Sequence, residues 1–183
     1  MASESSERKM IIAVLLTSTL LTMLGIAGVL TGAYDLSMAP LPEDLRELAE
    51  VNEELSDAEV QLFEARVSNP YRRPMAAANV VVSGLVLIGS FLLSWRRRLA
   101  QWWIKQAVAA KLIWIGAYTV TLASHINLTF VPLPTAPQDV TISTFIGSVI
   151  GLSTVNAALH VAAAYRATRP DIAEFIRSSA TKS

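Results

Sequence analysis

Apolar residues run along this chain in four long blocks separated by short charged ones. Met10–Tyr34, Met75–Trp95, Leu112–Val131 and Val140–Tyr165 contain no Asp, Glu, Lys or Arg. Each is at least as long as the roughly 20 residues a helix needs to cross the hydrocarbon core. Lipid cannot satisfy open backbone groups, so each block predicts a transmembrane helix, and a strand reading of Val80, Val81 and Val82 is overruled. Thr31-Gly32-Ala33 in the first block resembles a secretory cleavage site. The apolar run before it far exceeds the roughly 7–15 residues of a signal h-region, so a retained anchor is expected.

The charged segments between the blocks set an expected orientation. Arg96, Arg97, Arg98 and Lys105 follow the second block with no acid among them, and Arg166 follows the fourth. The positive-inside rule assigns these anchors, and by alternation both termini, to the cytoplasm. Trp95, Trp102, Trp103 and Tyr165 stand near the same charges, as rings at headgroup level do. The arginine cluster reads as a topological anchor against anionic lipid and not as a nucleic-acid patch. The predicted organisation is a cytoplasmic N-terminus at 1–9, spans at 10–34, 75–95, 106–131 and 140–165, a basic cytoplasmic loop at 96–105, and a cytoplasmic tail at 166–183. The outer loops are 35–74 and 132–139. The expected fold class is an all-α membrane protein, a four-transmembrane-helix bundle with both termini cytoplasmic and an amphipathic helical hairpin in the first outer loop.

That hairpin is read from a second, weaker periodicity. Leu41, Leu45, Leu48, Val51 and Leu55 recur at helical spacing among acids, and Ser56-Asp57-Ala58-Glu59 reads as a capping box for a second helix. Asn69-Pro70 ends it. The acids lack the Asp/Asn-rich, glycine-centred pattern of calcium loops and read as a solvated face. The leucine stripe outside the membrane needs a cover, from the bundle, the lipid surface or a partner. The loop Pro132–Asp139 is short and proline-rich, a stiff connection.

Composition adds little beyond this pattern. The chain has 183 residues, 52 % of them hydrophobic, with 15 basic and 15 acidic side chains and no cysteine. Disulfides and thiolate metal sites are thereby excluded. An arginine-rich, cysteine-free chain with short loops suggests a bacterial inner membrane.

Within the spans, small residues form stripes. Ser18, Thr22, Gly25, Gly28 and Gly32 share one face of the first, Ala76, Ser83, Ser90 and Ser94 one face of the second, and Gly147 and Gly151 repeat the pattern in the fourth. Such stripes let helix backbones approach closely and are read as packing seams. Ionisable groups are few: Lys111, His125 and His160. Counted at 1.5 Å per residue from the charge belts, Lys111, Ser90, Asn156 and His160 fall in a polar layer toward the cytoplasmic side, and Asn79 and His125 in an outer layer. Lys111 is expected to snorkel to the headgroups. Asn156 and His160 must face other helices, either for interhelical hydrogen bonding or as a ligand or proton site.

This inventory is poor in chemistry. A bis-histidine haem needs His125 and His160 close together, so haem or pigment is expected only with ligands shared by a partner chain. Di-iron carboxylate sites, buried acid relays and hydrolase triads lack their acids. No metal site, catalytic residue or resident cofactor is predicted. The leading expectation is a non-enzymatic membrane protein, a homo-oligomer or subunit of a membrane complex, with lipid and protein but no nucleic acid as partners. The alternatives are a small oligomeric channel or transporter subunit with a Ser/Thr/Asn/His-lined path, and a haem- or pigment-binding subunit.

Overall fold

The computed structural model describes residues 2–37, 66–130 and 138–179. Five helices follow one another among them: α1 (Ala2–Ser37), α2 (Arg72–Ser94), α3 (Ala100–Phe130), α4 (Gln138–Ala167) and α5 (Pro170–Ser179). No strand occurs among the described residues. α1 to α4 are each long and apolar enough to cross a membrane. Of the predicted outer hairpin segment 35–74, residues 38–65 lie outside the described residues, and of the proline-rich loop 132–139, residues 132–137 do, while 35–37 continue α1, 72–74 begin α2 and 138–139 begin α4.

The apolar blocks mark these helices but not their ends. α1 has 36 residues, about 54 Å at 1.5 Å per residue, so its helix continues past a hydrocarbon core of about 30 Å. The polar stretch 1–9, assigned no structure from the sequence, is helical from Ala2 onward. α2 begins at Arg72, with Pro74 in its first turn, where a missing N–H has no helical partner to lose. α3 begins at Ala100, so the predicted 96–105 loop shrinks to the few residues around the three arginines.

That turn is a Schellman closure. Arg97 N–H donates to Leu92 O and Arg96 N–H to Leu93 O, at 2.9 and 3.0 Å, with Arg96 at φ 52°. The left-handed position is usually glycine. Here the arginine reaches across to α5, its guanidinium 4.9 Å from the Phe175 ring centre. Ile172 and Ile176 on the same side of α5 are buried in a cluster with Val14, Leu93, Ala100 and Ala167. This short amphipathic helix closes one end of the bundle.

The four long helices run up and down. Thr22 meets Ser90 and Gly32 meets Val80 between α1 and α2. Trp103 donates to Leu85 O and Trp114 to Met75 O between α3 and α2. Gln101 donates to Ala167 O and Thr119 to Ser153 between α3 and α4. In each pair one number rises as the other falls, so neighbours are antiparallel. α4 is the least enclosed span, with 6 % of its apolar window buried against 28 to 39 % for the others. One whole side of it faces away from the bundle.

Candidate functional site

The site starts from the closeness of α1 and α2. A Cβ added at Gly28 would lie 2.2 Å from Ser83 Oγ and 3.0 Å from Lys111 Nζ, and one at Gly32 would lie 2.9 Å from the Ala76 carbonyl oxygen. Only glycine permits that approach. The missing side chains leave room between the helices for polar groups of α2 and α3.

Lys111 of α3 enters that room and is 1 % exposed. Its ammonium donates to Asn79 Oδ1 at 2.5 Å and to Ser83 Oγ at 2.8 Å. Asn79 and Ser83 stand four apart on α2, so one helical face supplies both acceptors. Nζ also lies 4.4 Å from the centre of the Trp114 ring, within cation–π range. Trp114 is fixed in turn by its Nε1–H bond to Met75 O at 2.8 Å and by stacking on Tyr118 at 5.1 Å. Lys111 therefore does not snorkel. It ties α3 to α2 in the interior beside Gly28 of α1, and neither hydrogen-bond partner carries a charge.

This corrects the layering expected from the sequence. Lys111 and Asn79, assigned to different layers, are in direct contact. The count began at Lys105, but α3 begins at Ala100, so Lys111 lies about 16 Å along the helix, and the Trp103–Leu85 and Trp114–Met75 bonds put its backbone level with Asn79. Ser90 belongs elsewhere, its hydroxyl 2.9 Å from Thr22 Oγ1. His160 is 1 % exposed, and its Nδ1 donates to Asn156 O at 2.8 Å. A carbonyl only accepts, so Nε2 carries the lone pair, and this buried atom has no hydrogen-bond partner among the described residues. His125 lies toward the other end of α3, with Nε2 3.4 Å from Ser68 Oγ.

Lys111, Asn79 and Asn156 do share a cavity of about 440 Å³ enclosed mainly by α1, α3 and α4. From Lys111 to Leu122 it follows three turns of α3, about 16 Å. Ile115, Leu122, Phe145 and Val149 supply apolar wall. Asp35 and Arg66 line its far end, paired at 2.7 Å, and Arg72 Nη1 donates to the Asp35 carbonyl at 3.1 Å. Ala27 and Thr31 of α1 and Ser148 and Leu152 of α4 also line it, and all four are exposed. The cavity therefore opens sideways between α1 and α4, along the apolar spans.

No protein-family model, curated protein or solved structure matches this chain. The site has to be read from its own chemistry.

The small-residue seams separate into two kinds. Gly25, Gly28 and Gly32 all face α2 at distances a Cβ could not share. A Cβ at Gly147 or Gly151 would meet nothing within 4 Å, so the α4 stripe is turned outward. Arg97, Arg98, Lys105 and Arg166 are exposed, with Arg96 half-buried over Phe175. Trp95, Trp102 and Tyr165 are exposed as well, whereas Trp103 turns inward to bond α2. Sequence reasoning did not single out Trp114, Asp35 or Arg66. Trp114 had a signal, three residues after Lys111 on one helix face. The Asp35–Arg66 pair joins residues 31 positions apart and left no local trace.

Proposed function

We propose that this chain is a non-enzymatic subunit of a membrane assembly that associates with a second copy of itself through α4. The observation that carries the reading is the contrast between the two glycine seams. The one on α1 is used inside the bundle, and the one on α4, at Gly147 and Gly151, faces outward with nothing against it. The stripe continues through exposed Thr144, Thr154, Ala158 and Ala162, the composition by which membrane helices approach each other. Both termini and the arginine turn lie on the cytoplasmic side of a bacterial inner membrane in this reading, and the acidic segment after α1 reaches a partner protein on the outer side.

The test is association in mild detergent, followed by light scattering and crosslinking. Gly147→Ile and Gly151→Ile are expected to weaken self-association and leave the protomer folded, because a Cβ at either position meets nothing within 4 Å among the described residues. A wild-type protein that runs as a strict monomer in both detergent and nanodiscs would refute the reading. Single cysteines at Leu99 and Ser68 test the orientation, since the native chain has none. An impermeant thiol reagent should reach only the Ser68 position from outside the cell.

A further inference from the structure

We infer that the lateral cavity between α1 and α4 binds a membrane-borne amphiphile with a monoanionic head, carboxylate or phosphate, on a single hydrocarbon chain, the head lying at Lys111. Three observations converge on this ligand. The first is charge. Lys111 donates its hydrogen bonds to Asn79 and Ser83, both neutral, and Asp35, the one acid among the described residues that line the cavity, is held by Arg66. Among the described lining residues, charged side chains count one more cation than anions. A cation within a membrane span is expensive without a counter-charge, and intramembrane ionisable groups mark ligand or ion sites.

The second observation is the wall. Between the cation and the Asp35–Arg66 pair the lining is largely hydrocarbon, at Ile115, Leu122, Phe145 and Val149. A small hydrated anion gains nothing from that surface, while an alkyl chain does. The third is the opening. Exposed Ala27, Thr31, Ser148 and Leu152 form the mouth, so a ligand dissolved in the bilayer enters without crossing water. The volume, about 440 Å³, falls in the range of about 300–1,000 Å³ common to small-molecule sites. This site uses the inward face of α4 and is independent of the outward seam on which self-association rests.

Trp114 lines the cavity and touches Lys111, which makes it the reporter. The protein is reconstituted in phosphatidylcholine nanodiscs and titrated with dibromostearate, a dibromoalkyl phosphate and dibromostearyl alcohol, whose bromines quench tryptophan. Saturable quenching by the acid, the phosphate or both is expected, and the two arms tell which head is preferred. It should disappear in Trp114→Phe and weaken roughly ten- to hundred-fold in Lys111→Met, the loss of one charged contact. Equal quenching by the alcohol, no saturable component with either anion, or quenching that survives unchanged in Lys111→Met overturns the proposal. If Lys111→Met does not fold, Ala27→Phe decides instead. It fills the mouth from an exposed position, should abolish saturable quenching, and overturns the proposal if binding persists.

Discussion

Gly28→Ala is the sharpest probe of the interior, because one methyl group would press on the whole Lys111 cluster. The added Cβ would stand 2.2 Å from Ser83 Oγ, 2.9 Å from Ser83 Cβ and 3.0 Å from Lys111 Nζ, where carbon and oxygen ordinarily keep about 3.3 Å or more. Two responses are open. Ser83 can rotate, which removes its hydroxyl from Lys111 and Asn79 yet leaves the Cβ–Cβ clash. Otherwise α1 must back away from α2 by about 1 Å, loosening the Gly25 and Gly32 contacts as well. A lost hydrogen bond to a charged group costs about 1.5–3 kcal/mol and overpacking about 1–3 kcal/mol, so a destabilisation of about 2–4 kcal/mol is expected. The assay is reversible unfolding in bicelles by steric trapping, with Gly116→Ala alongside. A Cβ at Gly116 meets nothing within 4 Å, so that variant should be neutral or up to about 1 kcal/mol more stable from helix propensity. Equal stability of Gly28→Ala and Gly116→Ala would refute the claim that α1 seats Lys111 by the absence of a side chain.

Two further substitutions separate satisfied from unsatisfied buried groups. Asn79→Leu takes an acceptor from Lys111 and should cost about 1.5–3 kcal/mol in the same unfolding assay. His160→Leu removes a ring whose Nε2 has no partner among the described residues, so it should lie within about 1 kcal/mol of wild type, and a larger loss would mean that Nε2 has a partner in the membrane. Asp35→Asn breaks the ion pair with Arg66, whose acid side chain is 7 % exposed. A double-mutant cycle with Arg66→Gln should return a coupling of about 1–3 kcal/mol, and a value near zero would class the pair with solvent-screened surface bridges.

The four spans were legible because lipid makes one demand that composition alone answers, an uninterrupted run of apolar residues in helical form. Faces were legible too. Ser18, Gly25 and Gly32 on α1 and Ala76, Ser83 and Ser90 on α2, each grouped by period, are buried, although Ser94, placed in the same stripe, is exposed. Pairing between helices was a different matter. Depth counting fixes a Cα, and it was anchored on Lys105, a charge that lies within α3 and does not mark its start. The five residues of α3 before Lys105 went uncounted, about a turn and a half, and Lys111 was placed near Ser90 where its backbone is level with Asn79. The outward turn of Gly147 and Gly151 was equally hidden, since a glycine pair has the same spacing whether it meets its own bundle or another molecule. The residue types nevertheless contained a usable constraint. A lysine with no carboxylate in any span takes its acceptors from neutral groups, and Asn79 and Ser83 are one of several Asn/Ser/Thr pairs four apart, beside Ser18 and Thr22, Ser90 and Ser94, and Thr144 and Ser148. Spacing narrows the choice without making it, and the pair used is the one opposite Gly28, where the absent side chain leaves room for the ammonium.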